Sequence, residues 1–109
     1  MSNRKLPDWL VLEIHRCLTS EIYPAIRAIA VSFNAESHLL MRYYLDREPR
    51  DADYESLEIV ACQILSASGD VLIKKFDIDC QYSTTFFKDI DGLDGFIYSR
   101  RENDLEDVM

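Results

Sequence analysis

Two runs of alternating side chains, separated by a four-residue connection, restrict this chain more than any other feature. From Ala25 to Phe33 the period is two: Arg27, Ile29, Val31 and Phe33 alternate with Ile26, Ala28, Ala30 and Ser32. That pattern fits a strand covered on one face and lined by small residues on the other. From His38 to Leu45 the period repeats, with Leu39, Met41, Tyr43 and Leu45 on one side and His38, Leu40, Arg42 and Tyr44 on the other. Asn34-Ala35-Glu36-Ser37 supplies the tight connection, so the pair reads as an antiparallel hairpin.

Helical periods flank the hairpin. Pro7 suits a first helical turn, and from Asp8 to about Leu18 the residues Leu10, Ile14, Cys17 and Leu18 share one stripe. After Glu48-Pro49 stops the second strand, Asp51 is an N-cap candidate. Asp53 and Glu55 place negative charge where the helix dipole favours it, and Leu57, Val60, Ala61, Ile64 and Leu65 form an apolar stripe. Ser68-Gly69-Asp70 ends that helix, with Gly69 available for a left-handed C-terminal position.

From Val71 to about Tyr82 alternation returns, with Leu72, Phe76, Ile78, Cys80 and Tyr82 facing one way and Ile73, Lys75, Asp77, Asp79 and Gln81 the other. Ser83 to Asp94 reads as loop or short helix anchored by Phe86 and Phe87, Gly95 to Arg100 as a last strand, and 101–109 as a frayed acidic tail. The order α-β-β-α-β-β predicts a single α+β domain over 1–109 with a mainly antiparallel sheet and helices packed on one face.

The charge is distributed unevenly. Residues 1–45 hold five Lys/Arg against four Asp/Glu, a net +1, and 46–109 hold seven against sixteen, a net −9, so the second part carries all of the chain's net −8 and one charge more. Such a field favours cationic partners and repels nucleic acid and membrane surfaces. No window approaches the ~20 apolar residues of a membrane span, and Asp8, Glu13 and Arg16 interrupt any signal-peptide core. Cys17, Cys62 and Cys80 are odd in number and lack CxxC spacing, so neither a disulfide framework nor a zinc site is suggested and a reduced, cytoplasmic setting is expected.

Catalytic signatures are sparse. His15 and His38 have no cysteine or carboxylate at a spacing that defines a nucleophile and base within one element. A small Cys/His enzyme using His15 or His38 with Cys17 or Cys80 is the weakest alternative. Asp89-Ile90-Asp91-Gly92-Leu93-Asp94 resembles a calcium loop only superficially, since its fifth position is Leu93 and its sixth Asp94, where an oxygen ligand and a glycine are needed. No metal, nucleotide or other cofactor is expected.

The carboxylates fall in three groups: around the Pro49 turn (Asp46, Glu48, Asp51, Asp53, Glu55, Glu58), on one strand face (Asp77, Asp79), and in the late loop (Asp89, Asp91, Asp94). Gathered on one side, they would form an anionic face spaced somewhat like a phosphate backbone. Nearby tyrosines and phenylalanines are suited to anchor a protein interface.

The run Arg42-Tyr43-Tyr44-Leu45-Asp46-Arg47-Glu48-Pro49, the acidic helix start Asp51-Ala52-Asp53-Tyr54-Glu55 with its helix to Ala67, Cys80-Gln81-Tyr82-Ser83, and the closing stretch from Leu93 to Glu102 resemble small immunity proteins of bacterial polymorphic toxin systems, with contact-dependent growth inhibition as the setting. The resemblance implies a cytoplasmic antidote that performs no reaction and binds the C-terminal domain of a cognate toxin, occluding its active site. Many such toxins are nucleases with basic clefts, which fits the charge asymmetry. The partner-binding set expected from these readings is Asp46, Glu48, Asp51, Asp53, Asp77, Asp79, Asp89 and Asp91, with Tyr44, Tyr82 and Tyr98 as anchors. An acidic nucleic-acid mimic that sequesters a host nucleic-acid-binding protein is the main alternative.

Overall fold

The hairpin is closed by one asparagine. In the computed structural model, which describes residues 6–68, 73–85 and 87–100, strands β1 (Ile26–Phe33) and β2 (His38–Leu45) pair antiparallel with Ile29 opposite Tyr43, Val31 opposite Met41 and Phe33 opposite Leu39. Asn34 Oδ1 accepts the backbone N–H groups of Glu36 (2.9 Å) and His38 (3.1 Å), and Ser37 takes φ 63°. A side-chain acceptor that mimics a backbone turn is the usual role of asparagine at such a position.

The direction of the next pairing departs from the sequence expectation. Helix α2 (Asp51–Ser68) carries the chain back along the sheet, and strand β3 (Lys75–Tyr82) pairs parallel with β2, His38 opposite Lys75 through Leu45 opposite Tyr82. An 18-residue helix spans about 27 Å, close to the roughly 26 Å of an eight-residue strand. The chain therefore returns to the end where β2 began, and a crossover of this kind imposes a parallel pair. Strand β4 (Gly95–Ser99) pairs antiparallel with β1 on its other side, giving the order β3-β2-β1-β4. The sheet is mainly antiparallel with one parallel pair.

Both helices pack on one face, as expected. Leu10, Ile14, Cys17 and Leu18 of α1 (Asp8–Leu18) and Leu57, Val60 and Ile64 of α2 close over Ile29, Val31, Leu39, Met41, Tyr43, Leu45 and Cys80. Each fully buried Leu or Ile contributes about 2 kcal/mol of transfer free energy. Ile73, expected on the polar side of the third strand, instead precedes β3 and is 1% exposed in this core. Gly69, Leu72, Phe86 and the tail 101–109 lie outside the described residues.

The opposite face is covered by chain. Ala28, Ala30 and Tyr44 form a second buried cluster with Ile90, against which Leu93 and Phe96 pack. Residues 87–94, which open with a 3₁₀ turn at Phe87–Asp89, place Ile90 and Leu93 over them. Alanine on β1 leaves room for this segment to lie close to the sheet. At Gly92 a Cβ would come within 2.7 Å of the Phe96 ring, so any larger residue would push that ring aside.

Arg27 corrects a second expectation. A β-bulge between Ile26 and Ala28 shifts the register, so Ile26 joins the helix-side core. Arg27, placed with Ile29 and Val31 by simple alternation, is 7% exposed. Its Nη1 donates to the carbonyls of Ser83 (2.9 Å) and Thr85 (2.8 Å), tying the chain just beyond β3 to the sheet. A bulge commonly re-aims one side chain in this way.

Candidate functional site

The acidic residues divide into those used by the fold and those left over. Asp53 belongs to the first kind. Helix α2 begins at Asp51 itself, so Arg50 and not Asp51 stands at the cap position, and Asp53 Oδ2 reaches back to accept the Arg50 backbone N–H at 2.7 Å. The same carboxylate accepts Arg47 Nη1 (2.7 Å) and Nη2 (3.1 Å) and the Tyr23 hydroxyl (2.6 Å). At 1% exposure it is interior. The Arg47 hydrogen bonds, opposed by burial and helped by Tyr23 and the Arg50 N–H, hold its pKa at about 2. The Tyr23 phenol is shifted the other way, upward, by burial and by the Asp53 carboxylate.

Three further acids are paired at the surface. Asp46 meets Arg100 at 2.8 Å, Asp77 meets His38 Nε2 at 2.7 Å, and Asp79 accepts Arg42 Nε at 2.8 Å and Gln81 Nε2 at 2.9 Å. Exposed pairs of this kind contribute little to stability, with a median below about 1 kcal/mol. They do offset the local negative field. Asp91 Oδ1 accepts the Leu93 N–H at 2.9 Å and Asp94 Oδ2 the Phe33 N–H at 3.0 Å, so these loop carboxylates shape the turn. Asp89 is exposed at the end of the 3₁₀ turn. No group of three or more potential metal ligands stands together among the described residues.

The three sequence groups are not gathered on one surface. Asp77 and Asp79 stand opposite Leu40 and Arg42, on the helix-free face, and the covering loop with Asp89 and Asp91 lies on that face too. Asp46 follows the end of β2, six residues beyond the partner of Asp77, or about 20 Å along the strand. Glu48 and Asp51 continue from there into α2 and are exposed.

Of the tyrosines, Tyr44 is interior at 4% exposure. Its hydroxyl donates to the Asp91 carbonyl at 2.8 Å, and the Arg42 guanidinium lies over its ring at 5.9 Å. Tyr44 faces away from the helices as expected, but the loop covers it. Tyr98 is half-buried against the helix-side core, and Tyr82 is 45% exposed at the end of β3.

The acidic group around the Pro49 turn includes Asp51, Glu55 and Glu58, but its sequence does not by itself set Glu55 and Glu58 beside Asp51 as contacts on the outer side of α2. Asp51, Glu55 and Glu58 stand at i, i+4 and i+7, a spacing that aligns them on one helical stripe. All three are exposed, and within the described residues none makes an ion pair. Tyr54, at 38%, and Ile59, at 50%, flank the stripe. The helical period held this information, since the apolar stripe leaves these positions on the opposite side.

Two of the three cysteines, Cys17 and Cys80, are buried free thiols. Burial, with Asp53 and Asp79 nearby, pushes Cys80 up to about 12, and burial with the Glu13 hydrogen bond pushes Cys17 up to about 11. Both stay protonated at neutral pH, whereas a nucleophile must be thiolate. The Cys17 thiol donates to Glu13 Oε2 at 3.4 Å, and Glu13 is paired with Arg16. The exposed His38 is engaged by Asp77.

Among the described residues, no helix is long and apolar enough to cross a membrane. Residues 7–102, which include both helices and all four strands, match the family model of the MafI2 immunity protein. The chain belongs to the MafI2 immunity protein family. The match confirms the resemblance to small immunity proteins of polymorphic toxin systems, and an immunity family implies a cognate toxin as partner. A comparison with curated proteins found no match.

Proposed function

We propose that this chain is a stoichiometric antidote that binds the C-terminal domain of its cognate toxin in the cytoplasm and occludes the toxin's active site. The toxin is a nuclease with a basic cleft, delivered by contact-dependent growth inhibition. The observation that carries the proposal is the MafI2 match over residues 7–102, which spans the whole α-β-β-α-β-β body. The exposed stripe Asp51, Glu55 and Glu58, without an ion pair among the described residues, supports it, because exposed carboxylates accelerate encounter with a cationic surface. Burial keeps Cys17 and Cys80 protonated, which disfavours a thiolate nucleophile at those two positions. The accessible members of the contact set are the exposed Asp46, Glu48, Asp51, Asp77, Asp89, Asp91 and Tyr82 and the half-buried Asp79 and Tyr98; Tyr44 and Asp53 support the fold beneath them.

A nucleic-acid mimic is less favoured. It needs a continuous array of free carboxylates, whereas here Asp46 at the Pro49 turn stands about 20 Å along β2 from the position of Asp77 and Asp46, Asp77 and Asp79 are paired within the chain.

Co-expression tests the proposal. Cells producing the toxin domain encoded immediately upstream should survive when this chain is produced with it, and should die when it is paired with an unrelated toxin. Death in both cases, or survival in both, contradicts specific immunity.

A further inference from the structure

The outer edge of β3 carries hydrogen-bonding groups that the described residues leave unused. Lys75 N–H donates to the Ser37 carbonyl at 3.3 Å, and Ser83 N–H to the Leu45 carbonyl at 3.0 Å. In a parallel pair, backbone direction alternates along the strand. The odd-numbered residues therefore aim both groups at β2, while Phe76, Ile78, Cys80 and Tyr82 aim theirs away from the sheet. One outward group is met from outside, as this alternation requires: the Tyr54 hydroxyl donates to the Cys80 carbonyl at 3.4 Å. The N–H and C=O of Phe76 and Ile78 have no partner among the described residues.

This edge is also regular. The β2–β3 register runs unbroken from Lys75 to Tyr82, whereas both pairings of β1 contain a shift. A straight, unpaired edge is a template for another strand.

Carboxylates bracket the template on both sides. Asp77 and Asp79 stand on the helix-free face of β3, each paired with a β2 side chain, His38 and Arg42, yet with side chains still 50% and 33% exposed. Above the edge, Tyr54 brings the first turns of α2 over Cys80, and Glu58 is its i+4 neighbour on the same side of the helix. A second copy of this chain is a poor occupant. Pairing two β3 edges would bring Asp77 and Asp79 against the same carboxylates, and each chain carries −8.

We propose that the cognate toxin adds a strand to the outer edge of β3 at Phe76–Ile78. That strand carries Lys or Arg opposite Asp77 and Asp79, alternating with apolar residues beside Phe76 and Ile78. The proposal rests on the toxin-binding function proposed above and names where and how binding occurs.

Residue-resolved amide exchange tests it, on the purified chain alone and with the toxin domain from the upstream reading frame. In the free chain, Phe76 and Ile78 should exchange faster than Asp77 and Asp79, whose N–H groups face β2. In the complex, Phe76 and Ile78 should slow by at least about tenfold. Ile78→Pro removes the outward N–H, and Ile78→Ala removes the same packing but keeps it. The proline variant should bind the toxin about tenfold more weakly than the alanine variant. A complex in which Phe76 and Ile78 keep their free rates, or equal affinities for the two variants, overturns the strand addition while leaving toxin binding intact. Protection already present in the free chain together with a doubled mass assigns the edge to a second copy and also overturns it. Absence of any complex and of rescue in cells refutes the toxin-binding function itself.

Discussion

Asp53→Ala is expected to lower the free energy of unfolding by about 3 kcal/mol, read from the midpoint and slope of a urea melt. The alanine leaves the Tyr23 hydroxyl and the Arg50 N–H without their acceptor in a partly buried setting and frees the Arg47 guanidinium. It also removes the carboxylate that closes the first turn of α2, the helix whose core stripe covers β2 and β3. Asp53→Asn keeps the shape, loses the charge, and should cost less.

The same carboxylate gives stability a defined acid limit. Its pKa is lowered on folding from an ordinary 3.8 to about 2, so the folded state binds this proton less readily than the unfolded chain. The contribution is fully present above about pH 4, where the carboxylate is ionised in both states, and is lost as pH falls through about 2. It is worth about 2 kcal/mol at neutral pH. Urea melts between pH 5 and pH 2 should show stability falling in that window for the native chain and a flatter profile for Asp53→Asn. Parallel profiles would show that Asp53 is not held in this way.

The second large effect concerns association. Asp51→Lys, Glu55→Lys and Glu58→Lys together should slow binding to the toxin by about 10- to 100-fold at low salt, with a smaller change in dissociation. No ion pair within the described residues is broken, so the main folding cost is the loss of Asp51 from the helix start, under about 1 kcal/mol. A thermal melt separates the two effects. The native chain should associate more slowly as salt rises, and the variant should lose most of that dependence. Charge reversal at Asp53 cannot serve this purpose, because it would unfold the start of α2 before it informed on binding. If the triple variant associates at the native rate, the negative field of α2 plays no part in recognition.

How far the sequence alone could reach depended on the range of the interaction concerned. The hairpin and α2 were legible because alternation and the helical stripe are local, and Asn34 and Pro49 mark their ends. The parallel pairing of β3 was not, because Lys75-Phe76-Asp77-Ile78 alternates equally well in either direction. Only the length of the intervening helix sets the direction. The bulge at Arg27 is invisible to a period count, since one extra residue looks like continued alternation until the register with β2 is known. Asp53 looked like an ordinary helix-start acid; its burial comes from Tyr23, thirty residues earlier, and Arg47. Tyr44 was assigned to the right face of its strand, but the covering of that face by the segment around Ile90 depends on tertiary packing. The stripe Asp51, Glu55 and Glu58 could be placed by period, while the absence of a cationic partner for it among the described residues required the structure.

Titrating toxin activity with the purified chain separates inhibition by binding from inhibition by reaction. Activity should fall linearly and reach zero at one chain per toxin domain, independent of the time of mixing, and should return when the complex is dissociated by denaturant and the toxin refolded. Progressive loss of toxin activity at far less than one equivalent, persisting after the two are separated, would mean that the chain acts on the toxin catalytically.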